Sequence, residues 1–184
     1  MEYKEFEIVV AQSSIDWIGR KVTGAHNGTI AIKEGTLALK DGKLAAGKFV
    51  IDTTSIKIID ITDPATNAQL AGHLASEDFF ASEKYPEALF VVTSVEQKKN
   101  SYRVIGDLTI KDITHPVTLN ANLNIINDTL TASGKIIIDR TRYGMKFRSG
   151  NFFKNLGDTL IYNDFDLNVS LTGRAISEPV ADFS

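Results

Sequence analysis

The side chains able to do chemistry are few in kind. The chain has 184 residues, three histidines and no cysteine. Without cysteine there is no disulfide framework, no thiolate zinc site and no thiol nucleophile. Zinc accepts three imidazoles, and His26, His73 and His115 have Asp60, Asp63 and Asp78 nearby in sequence. No pair of them shows the His-x-x-x-His spacing of a single helix face, and His115 precedes Pro116 at a turn. No metal site is expected. The chain also lacks a G-x-G-x-x-G loop, a Walker A loop and a G-x-S-x-G elbow. A triad built from distant residues stays open, because such constellations form in space. The acids read as outward strand and turn positions, so neither a catalytic residue nor a cofactor is assigned, and the chain is read as a non-enzyme.

Charge and aromatic character concentrate in one segment. Lys135–Lys154 holds Lys135, Arg140, Arg142, Lys146, Arg148 and Lys154 against Asp139 alone, a net +5 inside a chain of net −3. Tyr143, Phe147, Phe152 and Phe153 are interleaved with these cations. One reading is a mouth that receives an anionic head group, for which the planar, permanently charged arginine fork is suited. The other is a solvated loop whose cations pair with Glu77, Asp78, Glu83 and Glu87. A general nucleic-acid binder would show a basic excess over the whole domain, so nucleic acid is not expected as a partner. Arg140 shares parity with Ile136 and Ile138 and therefore points inward. There it must either close the barrel end on backbone carbonyls or an acid, or meet a ligand head group, since an unpaired buried charge is very costly.

Strands must position these residues. Tyr102, Val104, Leu108 and Ile110 alternate with polar neighbours, as do Val117–Ile125 and Phe165–Leu171. Period-2 alternation puts one face on an apolar interior and the other in water, the habit of antiparallel sheets. Further strands are expected over Ile8–Ile18, Gly28–Leu39, Gly47–Ile59, Ala88–Gln97 and Leu130–Arg140. Asp41-Gly42 and Asn127-Asp128 supply hairpin turns. About eight long strands joined by tight turns indicate an all-β up-and-down barrel or a sandwich, and long strands favour the barrel because closure removes exposed edges. Asp63–Pro86 breaks the pattern and reads as two short helices. Asp63 is the cap and Pro64 the first helical residue, with Leu70, His73 and Leu74 on one face. The second helical turn, Glu77–Phe80, would be capped by Ser76. Residues 1–176 read as one domain and 177–184 as a tail.

Composition adds bounds. The 43% apolar and 23% charged fractions are those of an ordinary globular protein. No apolar run approaches the roughly 20 residues of a membrane span. Met1–Phe6 lacks the basic, apolar and small-residue regions of a signal peptide. The chain is thus read as cytoplasmic or as one whose signal has been removed.

Several motifs carry a family resemblance. Gly72-His73-Leu74-Ala75-Ser76-Glu77-Asp78-Phe79-Phe80, followed by Lys84-Tyr85-Pro86-Glu87-Ala88-Leu89-Phe90, resembles the signature of the YceI-like family. So do Gly106–Val117, Ile138–Gly144 and the opening Lys21–Ile30 region, collinear over roughly residues 6–175. The resemblance implies an extended, eight-stranded, lipocalin-like antiparallel barrel. It also implies a tunnel for a long amphiphilic lipid, such as a polyisoprenoid, a polyprenyl quinone or a fatty-acid-like chain, which the protein would bind, transport or store. Export, often to the periplasm, and paired barrels (a homodimer) are further implications. Phe79, Phe80, Phe90, Tyr102, Leu108 and Phe165 are then expected to bound the tunnel, with Arg140, Tyr143, Phe147 and Phe153 at its mouth. Two alternatives stand beside this reading. One is an interaction module of an envelope complex with the acidic helical island as its contact surface. The other is an enzyme acting on a small molecule inside the barrel. The wall positions Val104, Leu108, Leu119, Leu123, Phe165 and Val169 line a tunnel in one case and fill a solid core in another.

Overall fold

The computed structural model describes residues 3–176. The strands are β1 (Tyr3–Ile8), β2 (Ser14–Lys21), β3 (Gly24–Lys40), β4 (Lys43–Ile58), β5 (Glu87–Gln97), β6 (Tyr102–Ile110), β7 (Ile113–Ile126), β8 (Thr129–Asp139) and β9 (Ile161–Ala175). From β2 onward each strand pairs antiparallel with the next, and β2 returns to β9, with Ile15 opposite Val169 and Trp17 opposite Leu167. The result is a closed eight-stranded antiparallel barrel with one short helix, α1 (Pro64–Leu74).

The ninth strand belongs to a broken stave. The expected single strand Ile8–Ile18 is interrupted by a 3₁₀ turn at Val10–Gln12. The break is held by hydrogen bonds: Ser13 Oγ donates to the Val9 carbonyl at 2.9 Å and accepts from the Thr172 amide at 3.0 Å. β2 spans the mouth half of the gap between β3 and β9. β1 spans the other half, with Phe6 opposite both Leu37 and Ala175.

Tight turns join the staves, and their residues carry the positive φ those turns demand. Asp41 and Gly42 sit at φ 52° and 81°, and Asn127 at 56°. Lys111 and Asp112, at 55° and 60°, make a third such turn. Inward side chains follow the period-2 pattern. On β6, Val104, Leu108 and Ile110 are buried. One end of the barrel is closed by core residues, with Phe6 and Leu130 fully buried in a cluster with Ile8, Leu37, Leu39 and Leu171.

The insertion after β4 forms as expected only in its first half. The Asp63 carboxylate accepts from the Thr66 amide at 3.0 Å and Pro64 opens α1. Asn67 Nδ2 ties the helix to the Ile58 and Ile61 carbonyls at 2.9 and 3.0 Å. The second expected helix, Glu77–Phe80, is a set of turns instead. The Phe79 and Ala81 amides both reach back to the Ser76 carbonyl, and the Phe80 amide to that of Leu74. Burying Phe79 in the barrel end requires this tighter path, which a continued helix axis would not provide. Residues 177–184, expected as a tail, lie outside the described residues.

Candidate functional site

The core is hollow at the end opposite Phe6. A cavity of about 460 Å³ opens there, walled by inward residues of β2, β3, β4, β6 and β9, by α1 and its turns, and by the 144–160 connection. A second, inner cavity of about 100 Å³ lies deeper, and its wall exposes no polar surface. Ile15, Ile51, Leu108 and Leu167 border both chambers and so form the neck between them. A volume in the range of several hundred cubic ångströms with mostly apolar walls is typical of a small-molecule site.

The sequence-selected residues distribute as follows. Phe79, Phe80, Leu108, Arg140, Phe147 and Phe165 are brought together around the outer chamber. Phe80 meets Phe165 edge-on at 6.4 Å between ring centroids. Phe90 lies on the inner chamber. Tyr102, Tyr143 and Phe153 line neither. Tyr102 has inward parity but starts β6 at the packed end, because β6 runs from that end towards the mouth. Tyr143 leaves strand parity in the 3₁₀ turn Arg140–Tyr143. It is buried behind the wall, edge-on to His115 at 5.3 Å, and burial raises the pKa of its phenol. Phe153 faces outward and is 48% exposed.

Arg140 proves to be a structural cation. Its Nε donates to the Tyr162 carbonyl at 3.0 Å, Nη1 to Met145 at 2.6 Å and Nη2 to Ile161 at 3.0 Å. These bonds clasp the start of the 144–160 connection and the first two residues of β9 to the end of β8. Burial pushes its pKa below the usual guanidinium value, yet an arginine this basic stays charged. The head-group role expected for it is therefore curtailed: three of its donors are engaged by the backbone, although it still borders the cavity.

Of the three histidines, two reach the cavity wall. His26 Nδ1 bonds Asp60 at 2.9 Å and His73 Nε2 bonds Asp78 at 2.9 Å. His73 is wedged edge-on between Phe79 and Phe147, at 5.1 and 4.6 Å. His115 bonds the Arg142 carbonyl and Nη2 instead. Among the described residues no cluster of three or more potential ligands could hold a metal ion, and neither cavity-facing imidazole hydrogen-bonds a hydroxyl. The pairing expected between the basic segment and the acidic island is not what forms. Lys135 joins Asp166 at 3.4 Å, Glu87 takes Lys33, and Asp78 takes His73. Lys146 and Arg148 rest instead on the rings of Phe152 and Phe147, at 4.8 and 5.0 Å.

Several wall residues escaped the sequence reading, among them Trp17, Met145 and Ile161. Trp17 and Ile161 were legible, since they share parity with Ile15 and Phe165. Met145 was not, because the irregular 144–160 connection has no period.

The family model for the YceI-like domain matches residues 6–173. The chain belongs to the YceI-like family. A UPF0312 protein of Photorhabdus laumondii is 35% identical over 127 residues, 65% of this chain and 59% of its own. Protein YceI of Escherichia coli O157:H7 is 38% identical over 72 residues, 39% of this chain. The chain thus spans 59% and 38% of the length of these relatives. Among solved structures, Burkholderia cenocepacia BcnA superposes with a TM-score of 0.69 at 22% identity, covering 90% of this chain and 98% of its own. A polyisoprenoid binding domain from Saccharophagus degradans gives 0.67 at 12% identity over 93% and 98%. At such identities the likeness is one of fold.

Proposed function

We propose that this YceI-like protein binds a long amphiphilic isoprenoid or lipid, with its tail in the barrel and its polar end at the mouth. The carrying observation is the polarity gradient along the cavity. The inner chamber has wholly apolar walls, while Arg20, Lys21, Arg148, Asp158 and Asp164 gather on the outer one. Each methylene moved from water into such a chamber contributes about 0.8 kcal/mol, so a tail that threads the neck supplies affinity and the rim selects the head. The polyisoprenoid binding of the Saccharophagus degradans domain supports the same reading by analogy of fold. We further propose, on the family resemblance alone, that it carries or stores that lipid in an exported, periplasmic setting. Cell fractionation tests the setting.

Native mass spectrometry of the purified protein, then organic extraction, tests the binding. The expected result is a non-covalent mass adduct that extracts as a long-chain lipid, or loading by added polyprenol, polyprenyl quinone or fatty acid. A protein that neither retains nor takes up any of the three overturns the proposal.

A further inference from the structure

We infer that the 146–154 loop is a membrane-docking surface that seats the cavity mouth against an anionic lipid interface. Phe152 and Phe153 are neighbours in sequence and are 50% and 48% exposed. Their seat in the barrel is taken by Phe147, which packs on His73 and Phe79. The loop is nevertheless anchored. Ser149 is fully buried, its Oγ donates to Asn163 Oδ1 at 2.6 Å, and its carbonyl accepts from the amides of both phenylalanines. The two rings are thus presented outward by a fixed base.

Charge complementarity selects the partner. Lys146, Arg148 and Lys154 flank the two phenylalanines in sequence, and none of the three joins a carboxylate among the described residues. Lys146 lies over the Phe152 ring itself. Exposed rings flanked by unpaired cations match an anionic bilayer, where the rings enter the acyl boundary and each cation adds about 1 kcal/mol at the surface. Residues 146–154 include no carboxylate, whereas the helical insertion carries Asp63, Glu77 and Asp78 and the outer chamber Asp158 and Asp164, so contact is confined to the loop. Phe147 and Arg148 belong at once to this loop and to the cavity wall. Docking would therefore bring the opening to the lipid without a channel through water.

Flotation with phosphatidylcholine vesicles, with and without phosphatidylglycerol, tests this. The expected result is association with the anionic vesicles only, weakening as salt is raised. Lys146→Gln with Lys154→Gln should weaken it about thirtyfold, and Phe152→Ser with Phe153→Ser about tenfold. Unchanged thermal melts would show that both double variants stay folded. No association with anionic vesicles at low salt, equal association with neutral ones, or indifference to both double variants would overturn the inference. Leu108→Trp, which blocks the neck, should leave flotation intact. A protein that floats but never loads lipid would sink the carrier reading and leave the docking surface standing.

Discussion

Arg140 Nη1 donates to the carbonyl of Met145 at 2.6 Å, across the turn that ends β8. With the bonds to Tyr162 and Ile161, this contact makes a buried cation the clasp of the cavity's irregular wall. Arg140→Gln should therefore destabilise the barrel by about 3 kcal/mol, since charged hydrogen bonds are lost and buried carbonyls are left unpaired. Urea unfolding at constant slope would measure it. Unchanged stability combined with lost lipid binding would return Arg140 to the head-group role.

Leu108 stands at the neck between the two chambers. Overpacking a solid core costs about 1–3 kcal/mol. Here the added ring of Leu108→Trp has empty space to enter, so stability should change by less than about 1 kcal/mol while lipid loading falls. A large drop in the unfolding midpoint would mean that the chambers close in solution.

Gly106 lies against Phe90. A Cβ at position 106 would fall 2.4 Å from Phe90 Cζ and 2.8 Å from the Val91 carbonyl oxygen. Gly106→Ala should cost about 1–3 kcal/mol. Phe90→Leu removes the ring atoms that clash, so a double-mutant cycle should show favourable coupling between the two changes. Strict additivity would assign the cost to the Val91 carbonyl alone.

Asp166 is buried on the outer face of β9 between Arg20, at 2.9 Å, and Lys135, at 3.4 Å. The Arg20 hydrogen bond is the main cause of its lowered pKa, with Lys135 adding to it. A carboxylate depressed in the folded state stabilises fully above the unfolded value of about 3.9 and loses that contribution as pH falls through the folded value. The stability gap between the natural protein and Asp166→Asn should hold steady from about pH 7 to 5 and narrow below about pH 4. A gap that narrows above pH 5 would contradict the assignment.

Particular residues show how far the sequence carried. Strand parity placed Leu108, Phe165 and Phe90 on the interior, because alternation is a local consequence of the pleat. The same parity placed Tyr102 inward but gave no depth, which depends on strand direction in the closed ring. Asp63-Pro64 announced α1 through cap chemistry within a few residues. Phe79 and Phe80 needed a hydrophobic seat, but the turns that deliver them depend on the barrel beneath. Arg140 was readable as inward and in need of partners. Of its acceptors, Met145 lies in a stretch without periodicity, and Ile161 and Tyr162 open β9 and reach it only through the pairing of β8 with β9.

By itself, then, the sequence determined the β-rich class, the turn positions, the inward faces and the family, since each rests on neighbours in the chain or on ordered motifs. Only the tertiary structure decided that the interior is hollow rather than filled. Whether inward side chains meet across a ring depends on its closure and on the sizes of residues far apart in sequence. It also separated the +5 segment into a clasp, an ion pair and an exposed aromatic tip, because the partners of each cation are set by the fold.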